Sequence, residues 1–341
     1  MPRIRYDRLP TERVDPKSRD LDRLSPVQIA RLMNRADRRA VEAVGRAAPA
    51  IGRAIEMVVD ALSHGGRLLF VGAGTSGRLG VIEAAECPPT FSTPPGLVQA
   101  VMAGGWRAVF QSVEGAEDDA AEGARQIRRR VQAEDVVVGI AASGVTPFVR
   151  GALNEGRRRK TATVLVTCNA GVPERAADVV IALAVGPEVL AGSTRLKAGT
   201  ATKLALNTLT TGAFARLGKV YGNRMVDLRP RSAKLRARAV RLVREIGGVE
   251  EREARHLLDA ASARAKIAIA MARLGISANR ARRDLEAARG SLRRLLESPP
   301  VGRIRAAAVG ARAEIPSRHE LPRRERREGK RRSVQRRASA T

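Results

Sequence analysis

The stretch that most constrains this chain is residues 67–90, RLLFVGAGTSGRLGVIEAAECPPT. A short apolar run, Leu68–Val71, enters Gly72-Ala-Gly74-Thr-Ser-Gly77, and helix-forming sequence follows. That order reads as a strand, a glycine turn and a helix start. The backbone N–H groups exposed at such a turn, together with the helix dipole, suit a phosphate. Thr75 and Ser76 add hydroxyls at the same point, and Glu86 follows as a carboxylate in an otherwise apolar run. An anion cradle with a carboxylate about two and a half helical turns further on outlines a reaction site.

Four more apolar runs, 97–103, 135–141, 162–167 and 178–183, alternate with helical patterns at 77–86, 117–132, 147–157 and a short one at 172–176. Runs such as Asp135-Val-Val-Val-Gly-Ile140 are continuous rather than alternating, which predicts a parallel sheet buried on both faces. Successive βαβ units imply right-handed crossovers and a doubly wound α/β sandwich. Ligands of such sheets collect beyond the carboxyl ends of the strands. The loops to watch are therefore 72–77, 103–117, 141–147 and 186–197.

Ser25-Pro26 marks a helix start ahead of the sheet, and a second helix is expected over about 40–63. Beyond the sheet a long helix is expected over 196–217, another over 232–246, and short ones over 250–261, 264–274, 277–288 and 290–297. The expected organisation is an N-terminal segment and helix (1–40), a sheet domain (41–230), a small helical module (231–297) and a basic tail from 298. The tail lacks periodicity and reads as disordered.

A net charge of +28 and a pI near 11.6 raise the question of a nucleic-acid partner. The distribution argues against one. Residues 301–341 carry 13 Arg/Lys against 4 Asp/Glu, and the remaining excess is spread as Arg over helix surfaces. Aromatic residues are 2% of the chain, so nothing interleaves the basic runs to stack on bases. Nucleic acid is not expected as a partner, and the tail is left without a role. Cys87 and Cys168 have no disulfide or zinc spacing, and three scattered histidines make no ligand pattern, so no metal is expected. With no secretory h-region and no apolar run near 18 residues, the chain reads as soluble, cytoplasmic and without a membrane partner.

GAGTSG also matches a dinucleotide fingerprint, but that reading needs an acid about 20 positions on, at the end of the next strand. Residues 91–101, FSTPPGLVQAV, hold none. A phosphomonoester site and a plain tight turn remain. A second loop, Ala141-Ala-Ser143-Gly144-Val145-Thr146-Pro147, repeats the hydroxyl-and-glycine chemistry at the end of another strand. Ser143 there either caps a helix or binds an anion, and both use the same geometry. A third stretch, Gly192-Ser193-Thr194-Arg195-Leu-Lys197, opens the long helix with two hydroxyls and two cations. The carboxylates are Glu86 and the run Glu114-Gly-Ala-Glu117-Asp118-Asp119. Glu86 stands among Ala84, Ala85 and Cys87-Pro-Pro, which disfavours a solvated role. Each alone is more often structural. Near a phosphate cradle, Glu86 and Glu117 make an acid/base pair whose pKa values unequal burial would split.

The segments GRLLFVGAGTSGRLGVIEAAECPPTF, VEGAEDD, DVVVGIAASGVTPF, VGPEVLAGSTRLKAGTATKLALNTL and GKVYGNRMVDLR together resemble the N-acetylmuramic acid 6-phosphate etherases, enzymes of the sugar-isomerase (SIS) fold in bacterial cell-wall recycling. The opening TERVDPKSRDLDRLS resembles the start of that family, and the likeness covers about residues 10–297. The resemblance implies a lyase that converts N-acetylmuramic acid 6-phosphate and water to N-acetylglucosamine 6-phosphate and D-lactate, with no cofactor, in amino-sugar recycling. It implies catalytic roles for Glu86 and Glu117. It implies phosphosugar contacts from Thr75, Ser76, Gly77, Ser143, Gly144, Thr146, Ser193 and Thr194. It also implies a homodimer with sites close to the subunit interface, and a UBA-like C-terminal module. One departure is Val145, where the family usually has Arg. The competing class is a non-catalytic SIS phosphosugar sensor, against which the presence of both carboxylates argues.

Overall fold

Five short runs of Val, Leu and Ile pair in register into one parallel sheet. In this computed structural model, which describes residues 9–297 except 229 and 231, they are β1 (Leu68–Gly72), β2 (Val98–Met102), β3 (Val136–Ile140), β4 (Ala162–Thr167) and β5 (Val179–Ala182). The tail expected from 298 lies outside the described residues. The strand order is β2-β1-β3-β4-β5. The chain leaves β1 for one side of the sheet and resumes at β3 on the other, so the direction of winding reverses between them. That switch point is where doubly wound sheets open a crevice.

Alternate residues of each strand serve different layers, as the pleat requires. Leu68, Phe70, Val138 and Val166 pack with α1 (Pro26–Arg46), α2 (Ala48–Ser63), α3 (Gly74–Phe91) and, later in the chain, α7 (Lys197–Arg216). Leu69, Val71, Val137 and Leu165 pack on the other face. They meet Ile127 of α5 (Ala120–Arg128) and Phe148 and Leu153 of α6 (Pro147–Arg158). A one-turn α4 (Arg107–Phe110) lies in the loop after β2. Both faces are covered, which explains why the strands read as unbroken apolar runs.

Two element boundaries depart from the sequence expectation. α3 begins at Gly74 rather than 77, and it continues through Pro88 and Pro89 to Phe91. A proline inside a helix costs roughly 3 kcal/mol. Here Cys87 and Phe91 are buried, and Phe91 stacks on Phe214 of α7 with ring centroids 4.7 Å apart, so packing holds the last turn. Ser92, in a left-handed conformation, ends it. The helix expected over 117–132 is instead a 3-10 turn, Ala116–Asp118, followed by α5. Asp119 separates the two by capping α5, accepting from Glu122 N at 2.7 Å. Glu117 therefore sits in the turn ahead of the helix.

After α7 come a two-residue hairpin, β6 (Val220–Tyr221) with β7 (Arg224–Met225), which the sequence reading missed, and five helices. These are α8 (Ala233–Gly247), α9 (Glu251–Ala260), α10 (Ala265–Leu274), α11 (Ala278–Ala287) and α12 (Leu292–Glu297). They share a core of their own, running from Val226 to Leu295. Lys266 ties it to the end of α7 by donating to Gly218 O at 3.0 Å, Gly290 O at 2.9 Å and Asp227 at 3.0 Å.

At the opposite end of the sheet from the crevice, Asp135 accepts from Arg67 N at 2.7 Å and from the guanidinium at 3.1 and 2.6 Å. This pins the starts of β1 and β3 side by side, and the carboxylate is fully buried. Asp135→Ala strips Arg67 of its counter-ion, leaving the guanidinium only the Arg130 carbonyl, and should cost about 3 kcal/mol of stability. The shift of the denaturant midpoint measures it, and no shift would contradict the role assigned to this pair.

Candidate active site

The cavity at the switch point holds about 460 Å³ and lies where the ends of β1 and β3 diverge. Its walls come from five places. Gly74, Thr75 and Ser76 are the first turn of α3; Ser143, Thr146 and Pro147 are the loop into α6. Glu117 and Asp118 belong to the 3-10 turn after β2, and Gly192 and Thr194 to the loop before α7. Leu9, Thr11 and Glu12 of the N-terminal segment close the remaining side. The size suits a small polar metabolite.

Because α3 starts at Gly74, the amides of Thr75 and Ser76 belong to the first helical turn, where N–H groups have no partner in the helix. The Gly77 N–H is already used, donating to Ala73 O at 3.1 Å. Gly77 does not line the cavity. Its role is close approach: a Cβ there would stand 2.7 Å from Gly72 O, so only glycine lets α3 rise directly off β1.

The second loop is held by the end of β4. Thr167 Oγ1 donates to Ala142 O at 3.2 Å, and Asn169 Nδ2 donates to Ser143 O at 3.0 Å. Gly144 has φ +74°, and a Cβ there would meet Val172 at 2.3 Å. It shapes the turn that presents Ser143 without lining the cavity itself. Val145 faces a separate hollow of about 350 Å³ with Arg150, Arg157 and Arg175.

The third loop is fixed from beneath. Glu188 accepts from the amides of Lys197 at 3.1 Å and Ala198 at 2.8 Å, capping α7. Lys197, also fully buried, donates to Pro187 O and lies 3.9 Å from the Glu188 carboxylate. Burial pushes the Glu188 carboxyl up and the Lys197 amine down from their ordinary pKa values. Thr194 reaches the cavity on this support; Ser193 is not among the lining residues. The sequence offered Lys197 as a cation for a ligand, but the structure commits it to this internal pair.

The two carboxylates of the expected pair are not brought together within one chain. Glu117 lines the cavity. Glu86 is twelve residues along α3 from Gly74, about 18 Å at 1.5 Å per residue. It is exposed to solvent, contrary to the expectation from its apolar neighbours. The buried carboxylate of α3 is Glu83, one turn earlier, which accepts from Thr210 Oγ1 and from Asn207 Nδ2 at 2.6 Å and so bolts α3 to α7. Burial raises its pKa, and those hydrogen bonds partly offset the rise. Near Glu86 lies a larger hollow, about 740 Å³, lined by Val81, Ala84, Ala85 and Trp106 together with Asp119, Glu122, Gln126 and Arg130. Ile82, Trp106 and Phe110 are more than half exposed around it. Its lining has none of the Ser and Thr hydroxyls of the switch point.

Several site-building residues escaped the sequence reading. Glu12 and Thr11 lie far from the glycine loops in sequence, and only the fold brings them in. Arg78 donates to Val109 O and Ala108 O, both at 2.9 Å, and anchors the loop that leads to Glu117. Cys87 and Cys168 are buried, and burial pushes both thiols up to about 12, which rules out a nucleophilic thiolate. No cluster of metal-ligating side chains is found among the described residues.

Sheet order and switch-point cavity together define a doubly wound α/β protein with a ligand site beyond its strand ends. Comparison with known proteins gives the class a family. Residues 50–156 match the family model described as the glucokinase regulatory protein N-terminal SIS domain. The N-acetylmuramic acid 6-phosphate etherase of Synechocystis sp. is 50% identical over 295 residues, 85% of this chain and 96% of that protein. The Gloeobacter violaceus etherase is 54% identical over 77% of this chain and 87% of its own length. Among solved structures, phosphoheptose isomerase from Neisseria gonorrhoeae matches at 20% identity and a TM-score of 0.42, covering 55% of this chain and 97% of that one. The chain belongs to the N-acetylmuramic acid 6-phosphate etherase family.

If the start of α3 and the Ser143 loop hold a phosphate together, Thr75→Val and Ser143→Ala should each weaken inorganic phosphate binding by about tenfold without shifting the thermal midpoint. Calorimetry reads both. Unchanged affinity in both variants would place the anion elsewhere.

Proposed function

We propose that this chain is an etherase acting in amino-sugar recycling, cleaving the D-lactyl ether of N-acetylmuramic acid 6-phosphate with water to give N-acetylglucosamine 6-phosphate and D-lactate. The observation that carries the reading is the meeting of the Thr75–Ser76 and Ser143–Thr146 turns with Glu117 in one cavity, in a chain half identical to etherases over nearly its whole folded length. No described helix is long and apolar enough to cross a membrane, which is compatible with a cytoplasmic site of action.

The chemistry gives each group a task. An alkoxide is too basic to leave an ether by direct displacement. In the open-chain sugar the C1 aldehyde acidifies the C2 proton, which a carboxylate at Glu117 can remove. The electron pair then forms a C2–C3 double bond as the C3–O bond breaks, and a carboxylic acid protonates the departing lactyl oxygen. Water adds to C3 of the unsaturated aldehyde and C2 regains a proton, restoring the sugar. The phosphate, held by Thr75, Ser76, Ser143 and Thr146, fixes the sugar relative to Glu117. Each proton transfer is worth about 10²–10⁴ in rate.

The second carboxylate, Glu86, serves this site as part of a homodimer. It is out of reach in its own chain, yet it stands on an exposed stripe of α3 with Ile82, Ala85 and Pro89, beside the exposed Trp106 and Phe110. An apolar patch around a lone carboxylate suits a surface that meets a second copy. Glu86 would then enter the partner's cavity.

Release of D-lactate from N-acetylmuramic acid 6-phosphate by the purified protein tests the activity; binding of the sugar without turnover would favour the sensor reading. Glu86→Ala and Glu117→Ala should each abolish turnover. Mixed after subunit exchange in equal amounts, the two inactive variants should recover about a quarter of wild-type activity, because half the dimers then hold one intact site of two. No recovery would place both carboxylates in one chain.

A further inference from the structure

Among the described residues, Glu12 is the one carboxylate of the cavity that comes from neither the sheet nor its loops. We infer that it contacts the sugar directly, accepting hydrogen bonds from hydroxyl or amide N–H groups at the end remote from the phosphate. The inference rests on the phosphosugar reading above and adds a specificity-determining residue to it.

The N-terminal segment is fastened down, so Glu12 is placed rather than trailing. Thr11 is buried, and its carbonyl accepts from Gly192 N at 3.1 Å, which joins the segment to the loop that carries Thr194. Glu12 N donates to Leu9 O at 3.0 Å, closing a short turn. Thr11 Oγ1 donates to Glu12 Oε1 at 3.2 Å and orients the carboxylate. A few residues on, Asp15 caps the next turn through Lys17 N at 3.0 Å and pairs with Arg39 of α1 at 3.7 Å. Glu12 Oε2 lies against Gly192, where an added methyl would stand 3.1 Å away. Gly192, at φ +76°, leaves room for that oxygen at the cavity wall.

Charge decides what this carboxylate can touch. A phosphate dianion belongs at the helix start and the hydroxyl turns, and it is repelled by Glu12, Glu117 and Asp118. The carboxylate walls therefore face the uncharged part of the ligand, whose hydroxyl and amide groups are donors. A carboxylate has only acceptor sites to offer, so the match is complementary.

The test compares N-acetylglucosamine 6-phosphate and inorganic phosphate as calorimetric probes of the full chain. Glu12→Ala should weaken the sugar phosphate at least about tenfold and leave inorganic phosphate within about twofold, because only the sugar loses a charge-assisted bond. Glu12→Gln, which keeps one acceptor oxygen, should fall between Glu12→Ala and wild type, and the thermal midpoints of all three should agree. A parallel loss for both probes would mean that the segment only shapes the cradle, and would overturn the inference. Unchanged sugar affinity would overturn it too. Failure of the wild-type protein to bind N-acetylglucosamine 6-phosphate would sink the phosphosugar reading itself.

Discussion

Everything at the site depends on how closely α3 rises off β1. Gly72 and Gly77 allow backbone to touch backbone there, with a Cβ at either position falling within 2.7 Å of the other segment. The close approach brings the unpaired amides of the helix start directly over the strand ends. It also sets the direction of the whole helix, and so decides that Glu86, near the far end, cannot fold back onto its own cavity. One steric fact thus creates the proposed phosphate cradle and separates Glu86 from it.

The remaining parts of the site are arranged around that start by buried and half-buried polar side chains that hydrogen-bond into the loops. Asn169 and Thr167 hold the Ser143 loop, Arg78 holds the loop leading to Glu117, and the Glu188–Lys197 pair holds the Thr194 loop. None of these side chains needs to meet the ligand. They replace the hydrogen bonds that buried loop backbone would otherwise lack, and so allow three irregular segments to converge on one small volume.

Much of this was legible in the residues. The unbroken apolar runs placed all five strands, and the spacing of glycines and hydroxyls marked the cradle, because both signals are local. The end of α3 was not legible: Pro88 and Pro89 read as a stop, and only the stacking of Phe91 on Phe214 carries the helix past them. Glu86 and Glu83 are one turn apart in similar surroundings, and sequence could not say which was buried. Glu12 was hidden for a different reason. A short polar segment becomes part of a site only through a tertiary contact, here the bond from Gly192 to Thr11. The carboxylate pair was readable as two residues, but their separation within one chain was not.

The most direct test of this account is a diffraction structure of the protein with N-acetylglucosamine 6-phosphate bound. The account predicts the phosphate against the Thr75 and Ser76 amides, the C1–C3 end of the sugar against Glu117 and Glu12, and Glu86 of the partner subunit entering the same cavity. A phosphate bound away from the start of α3, or a cavity completed by one chain's own Glu86, would contradict it.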